Sequence, residues 1–186
     1  MSPVSVAAVL YGPGDDVDAA LAACVAAMAG EGAHVAGLLQ RFGAEIRPGK
    51  HEMLLEVLPT GETIRLNDPR GAGVIGCILD ADSLARAAMA LRAGIRSRPD
   101  LLVVGRFGKE EAVGGGLRAE LAEAILDGIP LLIGVRRSLL PDWEAFLGQP
   151  AVVLSPEPHA TIAWARSVRP SFGAPAAVGA GASLAV

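Results

Sequence analysis

A short apolar run, Val4 to Leu10, leads into Tyr11-Gly12-Pro13-Gly14-Asp15-Asp16-Val17-Asp18 and then into an Ala-rich stretch. No other feature constrains the fold of this chain as strongly. A Val-rich run without polar alternation reads as a strand buried on both faces, as in a parallel sheet. Parallel neighbours are joined by long crossovers, usually helices. Strand, glycine turn and helix is also the geometry of a phosphate-binding loop, G-x-x-x-x-G-K-[ST]. There the backbone cradles phosphates, a lysine reaches them and a hydroxyl holds magnesium. With Gly12 as the first glycine, the lysine falls at Asp18 or one position before it, where there is no cation. Asp15, Asp16 and Asp18 instead place three carboxylates in the first helical turn. They satisfy the positive end of the helix dipole and repel a triphosphate. Gly12, Gly14, Asp15 and Asp18 are thus a degenerate phosphate loop. The bland reading of its acids is helix capping; the sharper one is a cation-binding or proton-linked carboxylate cluster.

The rest of the chain repeats the alternation. The pattern predicts helices over 16–30, from Asp80 or Asp82 to about 96, and over 117–127, 142–147 and 159–168. Strands are predicted over 34–40, 101–104, 130–135 and 152–154, with a further short segment at 74–79. Residues 41–50, polar and containing Pro48 and Gly49, read as a loop. Glu52–Leu58 and Thr63–Leu66 flank Pro59-Thr60-Gly61-Glu62 and read as a β-hairpin. From Pro170 the sequence is small, Gly/Ala-rich and aperiodic, which predicts a disordered tail over 170–186 after a single domain over 1–169. The sum is an α/β domain: a mostly parallel sheet with helices on both faces and an antiparallel hairpin.

Charge and composition narrow the function. A net charge of −4 argues against nucleic acid or a membrane surface as partner. No apolar run approaches the roughly 20 residues of a membrane span, and the N-terminus lacks the pattern of a signal peptide. Cytoplasmic residence is the expectation. Cys24 and Cys77 make neither a disulfide framework nor a zinc site. His51 and Cys77 would be an under-coordinated pair, so Cys77 reads as a small buried hydrophobe and no metal site is expected. Ser83, Ser138 and Ser155 lack a nucleophile-elbow context, and no catalytic residue is assigned.

In parallel sheets ligands bind at the carboxyl ends of the strands. Basic residues collect there in this sequence: Arg41 after the second strand, Arg106 and Lys109 after the 101–104 strand, Arg136 and Arg137 after the 130–135 strand. Arg118 sits at a helix start, where a cation is disfavoured unless an anion or carboxylate lies between. Gly114, Gly115 and Gly116 precede it and could form an anion nest from backbone N–H groups. Gly114–Gly116, Arg106, Lys109, Arg118 and Arg136 are the candidate oxyanion-binding residues. The competing reading leaves these charges solvated, with Lys109 paired to Glu110, Glu111 or the first-loop aspartates.

Asp100-Leu-Leu-Val-Val-Gly-Arg-Phe-Gly-Lys-Glu-Glu111, then Gly114-Gly-Gly-Leu-Arg118 and Gly128-Ile-Pro-Leu-Leu-Ile-Gly-Val135, resemble the bacterial domain-of-unknown-function family 2478. Its typical signature resembles "NRFGKxEAxGxGL", and a "GCxLD" element matches Gly76-Cys77-Ile78-Leu79-Asp80. Gly105 stands where an Asn is common. The family is often encoded beside molybdate transport genes. It is distantly similar to thermophilic-type P-loop nucleoside-triphosphatases, which implies a three-layer P-loop-NTPase-like fold. Their second acidic motif reads approximately Asp-Glu-Ile-Gly-Lys-Met-Glu. Laid on this chain, its Gly-Lys matches Gly108-Lys109 and its last Glu matches Glu111. The magnesium-holding Asp falls on Gly105 and the catalytic Glu on Arg106.

Phosphoryl transfer depends on positioning and on cations that stabilise the phosphates. With the lysine, the hydroxyl and the second-motif acids missing, hydrolysis is expected to be negligible. The resemblance implies a non-hydrolysing P-loop-like protein of molybdenum metabolism, with an oxyanion such as molybdate or tungstate as its ligand. Sulfate or phosphate would suit the same residues. One alternative is a divergent nucleoside-triphosphatase using Lys109 and Glu111, with Arg136 or Arg137 replacing the lost lysine. Another is an assembly protein without a small ligand, in which the small side chains of the first helix (Ala19, Ala20, Ala22, Ala23, Ala26, Ala27) allow close packing in a homo-oligomer.

Overall fold

The computed structural model describes residues 5–66 and 81–168. The expected 74–79 strand, Cys77, the Asp80 cap, the Gly76–Asp80 element and the tail from Pro170 lie outside the described residues. The strands are β1 (Val6–Tyr11), β2 (Val35–Arg47), β3 (Lys50–Leu58), β4 (Thr63–Arg65), β5 (Leu101–Phe107), β6 (Leu131–Arg136) and β7 (Val152–Leu154). The helices are α1 (Val17–Gly30), α2 (Ala81–Arg96), α3 (Lys109–Ala112), α4 (Arg118–Leu126), α5 (Leu140–Leu147) and α6 (Pro158–Val168). Among the described residues the strands form one sheet in the order β4-β3-β2-β5-β6-β1-β7.

β2, β5, β6, β1 and β7 run parallel, and β3 and β4 extend the sheet antiparallel. Both faces are covered. Alternate residues of β1, β2, β5 and β6 pack on one side against α2, α4 and α5, around Leu91, Ile95, Leu121 and Trp143. The other residues pack against α1 and α6, around Leu21, Cys24, Met28 and Ala165. This is the predicted mostly parallel, three-layer sheet. Close strand packing requires a glycine at position 37. Its φ is +136°, and a Cβ there would run into the Val103 carbonyl of β5.

The expected 41–50 loop is instead the end of one strand and the start of another. β2 runs on through Arg41 to Arg47, and only Pro48 and Gly49 turn the chain into β3. The reason is pairing: β3 has a partner along its length, with Arg41 opposite Leu54 and Phe42 opposite Met53. A diagonal Arg41–Glu56 ion pair of 2.6 Å ties the two strands. Register shifts after Phe42 and Glu45 break the alternation that would have shown the strand in the sequence. β5 also runs to Phe107, beyond the expected 101–104, and the glycine-rich connection contains the single turn of α3.

Candidate functional site

The carboxyl ends of β1, β5 and β6 carry the first loop, the Arg106–Gly116 connection and Arg136–Arg137 to one edge. The first loop is built by its own carboxylates. Asp16 caps α1, accepting from the Ala19 N–H at 2.9 Å. Asp15 folds back over the turn and accepts from the Gly12 N–H at 2.8 Å. Arg137 donates to the same Asp15 oxygen at 3.2 Å. The Gly12 hydrogen bond first, and then Arg137, hold the Asp15 carboxyl below the usual carboxylate value. A side-chain carboxylate thus takes the N–H of the first glycine, a position a phosphate would need. Gly14 supplies the left-handed backbone of the turn, with φ +88°.

Asp18 points across to β5. Its Oδ2 lies 2.7 Å from Arg106 Nη2, and both side chains are mostly buried. The pair meets through that one contact. Asp18 Oδ1 and Arg106 Nε are buried without a hydrogen-bond partner among the described residues. Arg106 also donates to the Tyr11 hydroxyl at 3.3 Å. Its guanidinium carbon lies 5.2 Å from the Tyr11 ring centre, and that of Arg136 lies 6.0 Å from the same ring. Two cations therefore address one aromatic ring. Arg136 is exposed and has no carboxylate partner among the described residues.

The second glycine turn is occupied from within as well. Glu111 is buried, and both of its oxygens are used. Oε2 accepts from the Gly108 N–H at 2.8 Å and Oε1 from the Leu117 N–H at 3.0 Å. The Gly114 and Gly115 N–H groups donate to the Glu111 and Glu110 carbonyls at 3.2 and 2.8 Å. Gly116 has a φ of +59°, and a Cβ there would collide with Glu111 Oε1. Arg118 donates to the Glu111 carbonyl at 2.8 Å, and its guanidinium carbon lies 4.5 Å from the Phe146 ring centre. The cation at this helix start thus has its acceptor in the chain itself.

Of the sequence candidates, Arg106 and Arg136 come together around Tyr11. Gly114, Gly115, Gly116 and Arg118 gather around Glu111 instead. Lys109 is exposed at the start of α3 and makes no ion pair among the described residues. Arg41 lies within β2, paired to Glu56. Tyr11 was not singled out from the sequence. The role of Glu111 was legible as a capping pattern, an acid three residues after the N-cap Gly108. α1 packs against α6, where the Thr161 hydroxyl donates to the Ala20 carbonyl, while Ala19 and Ala26 stay exposed. Among the described residues no group of three or more His, Cys, Asp or Glu could hold a metal, and no helix is long and apolar enough to cross a membrane.

The family model described as "protein of unknown function (DUF2478)" matches residues 6–164, and the chain belongs to that family. A molybdenum import ATP-binding protein, ModC 2 of Bradyrhizobium diazoefficiens, is 37% identical over 166 residues. The match covers 89% of this chain but 18% of that protein, so the chain spans under a fifth of this relative's length. The solution structure of a human cancer-related nucleoside triphosphatase superposes with a TM-score of 0.59 at 15% identity, covering 88% of this chain and 95% of that one. At that identity the likeness is one of fold, and it fits the P-loop-NTPase-like architecture described above.

Proposed function

We propose that this chain is a non-hydrolysing P-loop-like module of molybdenum metabolism that binds an oxyanion, molybdate or tungstate, at the carboxyl edge of its sheet. The observation that carries the reading is the 2.7 Å Asp18–Arg106 pair. A carboxylate stands at or beside the phosphate-loop lysine position, and an arginine stands where the hydrolase motif has its acid. The polarity of a nucleotide site is reversed, and the two inverted charges neutralise each other. A triphosphate would meet Asp15 and Asp18 where it needs a cation.

The oxyanion reading is supported by Arg136, exposed and unpaired among the described residues, and by Arg106 beside it at the Tyr11 ring. The buried Arg106 Nε–H is a further donor with no acceptor among the described residues. Lys109 adds charge nearby on α3. The relative's name supports the molybdenum context. The segment like this chain is a minor part of an ATP-binding import protein, which suits a module that leaves ATP hydrolysis to a partner. The divergent-hydrolase alternative is weakened because both Glu111 oxygens are already held by backbone N–H groups.

A thermal-shift panel of molybdate, tungstate, sulfate, phosphate and ATP or GTP with and without magnesium tests the proposal. A ligand at 100 times its dissociation constant stabilises by about 2.7 kcal/mol. The expected result is a selective shift with molybdate or tungstate that is lost in Arg136→Ala. A magnesium-dependent nucleotide shift with phosphate release would overturn it.

A further inference from the structure

A cleft of about 230 Å³ opens beside the carboxyl ends of β2 and β5. It lies on the face of the sheet that carries α2, and Arg106 of β5 is among the residues that line it. Its walls are mostly apolar: Leu38 of β2, Met53 and Leu55 of β3, Leu84 of α2, Val104 of β5 and Leu117. The uncharged polar residue among the lining is Gln40, and Arg106, Lys109, Glu110 and Glu111 line it as well. Gln40 follows Leu38 on the same strand face and sits opposite Leu55. It is 9% exposed, and it lines the cleft. Lys109 lines it too, exposed and without an ion pair among the described residues, beside Glu110.

A glutamine offers two N–H donors and a carbonyl acceptor in one plane. The group that matches it is an edge presenting a donor and an acceptor side by side, the bidentate arrangement by which Gln reads a base. The volume lies just below the 300 Å³ or so at which pockets for drug-sized ligands begin, which admits one ring system and leaves any substituent at the rim. The apolar part of the walls suits a ring better than a tetrahedral dianion. We propose that the cleft binds a small flat heterocycle with an amide-like edge held by Gln40 and an anionic substituent held by Lys109.

Isothermal titration of the full chain, without magnesium, with guanosine monophosphate, guanosine and benzoate tests this. Guanosine monophosphate carries both edge and anion, guanosine the edge alone, and benzoate a ring and anion without the edge. The expected order is guanosine monophosphate, then guanosine about tenfold weaker, with no binding of benzoate. Lys109→Ala should erase the difference between the two guanine ligands. Gln40→Leu should weaken both by tenfold or more while leaving the melting temperature of the unliganded protein at or above that of the wild type, since it replaces the amide with an apolar side chain of similar size. No heat from either guanine ligand at millimolar concentration would overturn the proposal. So would unchanged affinity in Gln40→Leu, or binding lost through Arg136→Ala instead, which would return the ligand to the oxyanion edge.

Discussion

The two glycine turns at the carboxyl edge are closed by the same device in different surroundings. In the first, the Asp15 carboxylate takes the Gly12 N–H and stays exposed, with Arg137 alongside. In the second, the Glu111 carboxylate takes the Gly108 and Leu117 N–H groups inside the protein. In each turn a carboxylate takes a backbone N–H that a bound anion could otherwise use. The exposed one competes with water, and its removal returns a backbone N–H to solvent. The buried one leaves two donors unsatisfied if it goes. The first turn is therefore a surface that chemistry could still use, and the second is part of the frame.

The sharpest way to break this comparison is Glu111→Ala. Losing a charged acceptor and stranding one buried and one half-buried N–H group should cost about 3 kcal/mol, read as a lower denaturation midpoint at unchanged slope. Glu111→Gln keeps one acceptor and should lose about half as much. Gly116→Ala probes the same turn from the backbone. It forces a Cβ onto Glu111 Oε1 at a positive φ, and about 2 kcal/mol of destabilisation is expected. If either variant behaved like a surface substitution, the second turn would be no more structural than the first.

The Asp18–Arg106 pair stands between the two extremes. Arg106→Gln leaves a mostly buried carboxylate without its partner and should cost about 1.5 kcal/mol. Asp18→Asn in the same background should recover part of that. A double-mutant cycle measures the coupling, and about 1 kcal/mol is expected for neighbours of this kind. Additive effects would mean that the contact is incidental, and the argument from inverted polarity would lose its energetic basis.

What the sequence disclosed follows from how local each signal is. β1, α1 and the Asp16 cap are written in adjacent residues, and so is the turn at Pro59–Glu62. The far half of β2 is not, because Arg41 to Arg47 form a strand only by pairing with β3, and two register shifts blur the alternation. At the edge, sequence spacing placed Arg106, Arg118, Arg136 and the glycine run near one another but gave no directions for the side chains. Arg106 turns toward α1, while Arg118 turns toward Phe146. The glycine run reads in sequence as an anion nest, whereas in the fold the Gly114 and Gly115 N–H groups bond to chain carbonyls; the signal for Glu111 is its place three residues past Gly108. That the acid fills the turn depends on loop geometry that only the folded chain supplies. Gln40 carried a weaker signal: a polar residue two positions after Leu38 on a strand whose faces are both covered.

The smallest effect expected is at Asp15, and its sign tests the exposed half of the comparison. The folded-state value lies below the ordinary 3.8. The carboxylate therefore contributes stability above the unfolded value, and the contribution disappears as pH falls through the lower folded one. Wild type and Asp15→Asn should differ slightly at neutral pH and converge in acid below that point. Arg137→Ala should move the Asp15 midpoint upward in an NMR titration but not all the way, since the Gly12 N–H, the larger cause, remains. A return to the ordinary value would assign the depression to the arginine. The loop would then be held by a surface ion pair that salt screens, and not by a carboxylate seated on a backbone donor as Glu111 is.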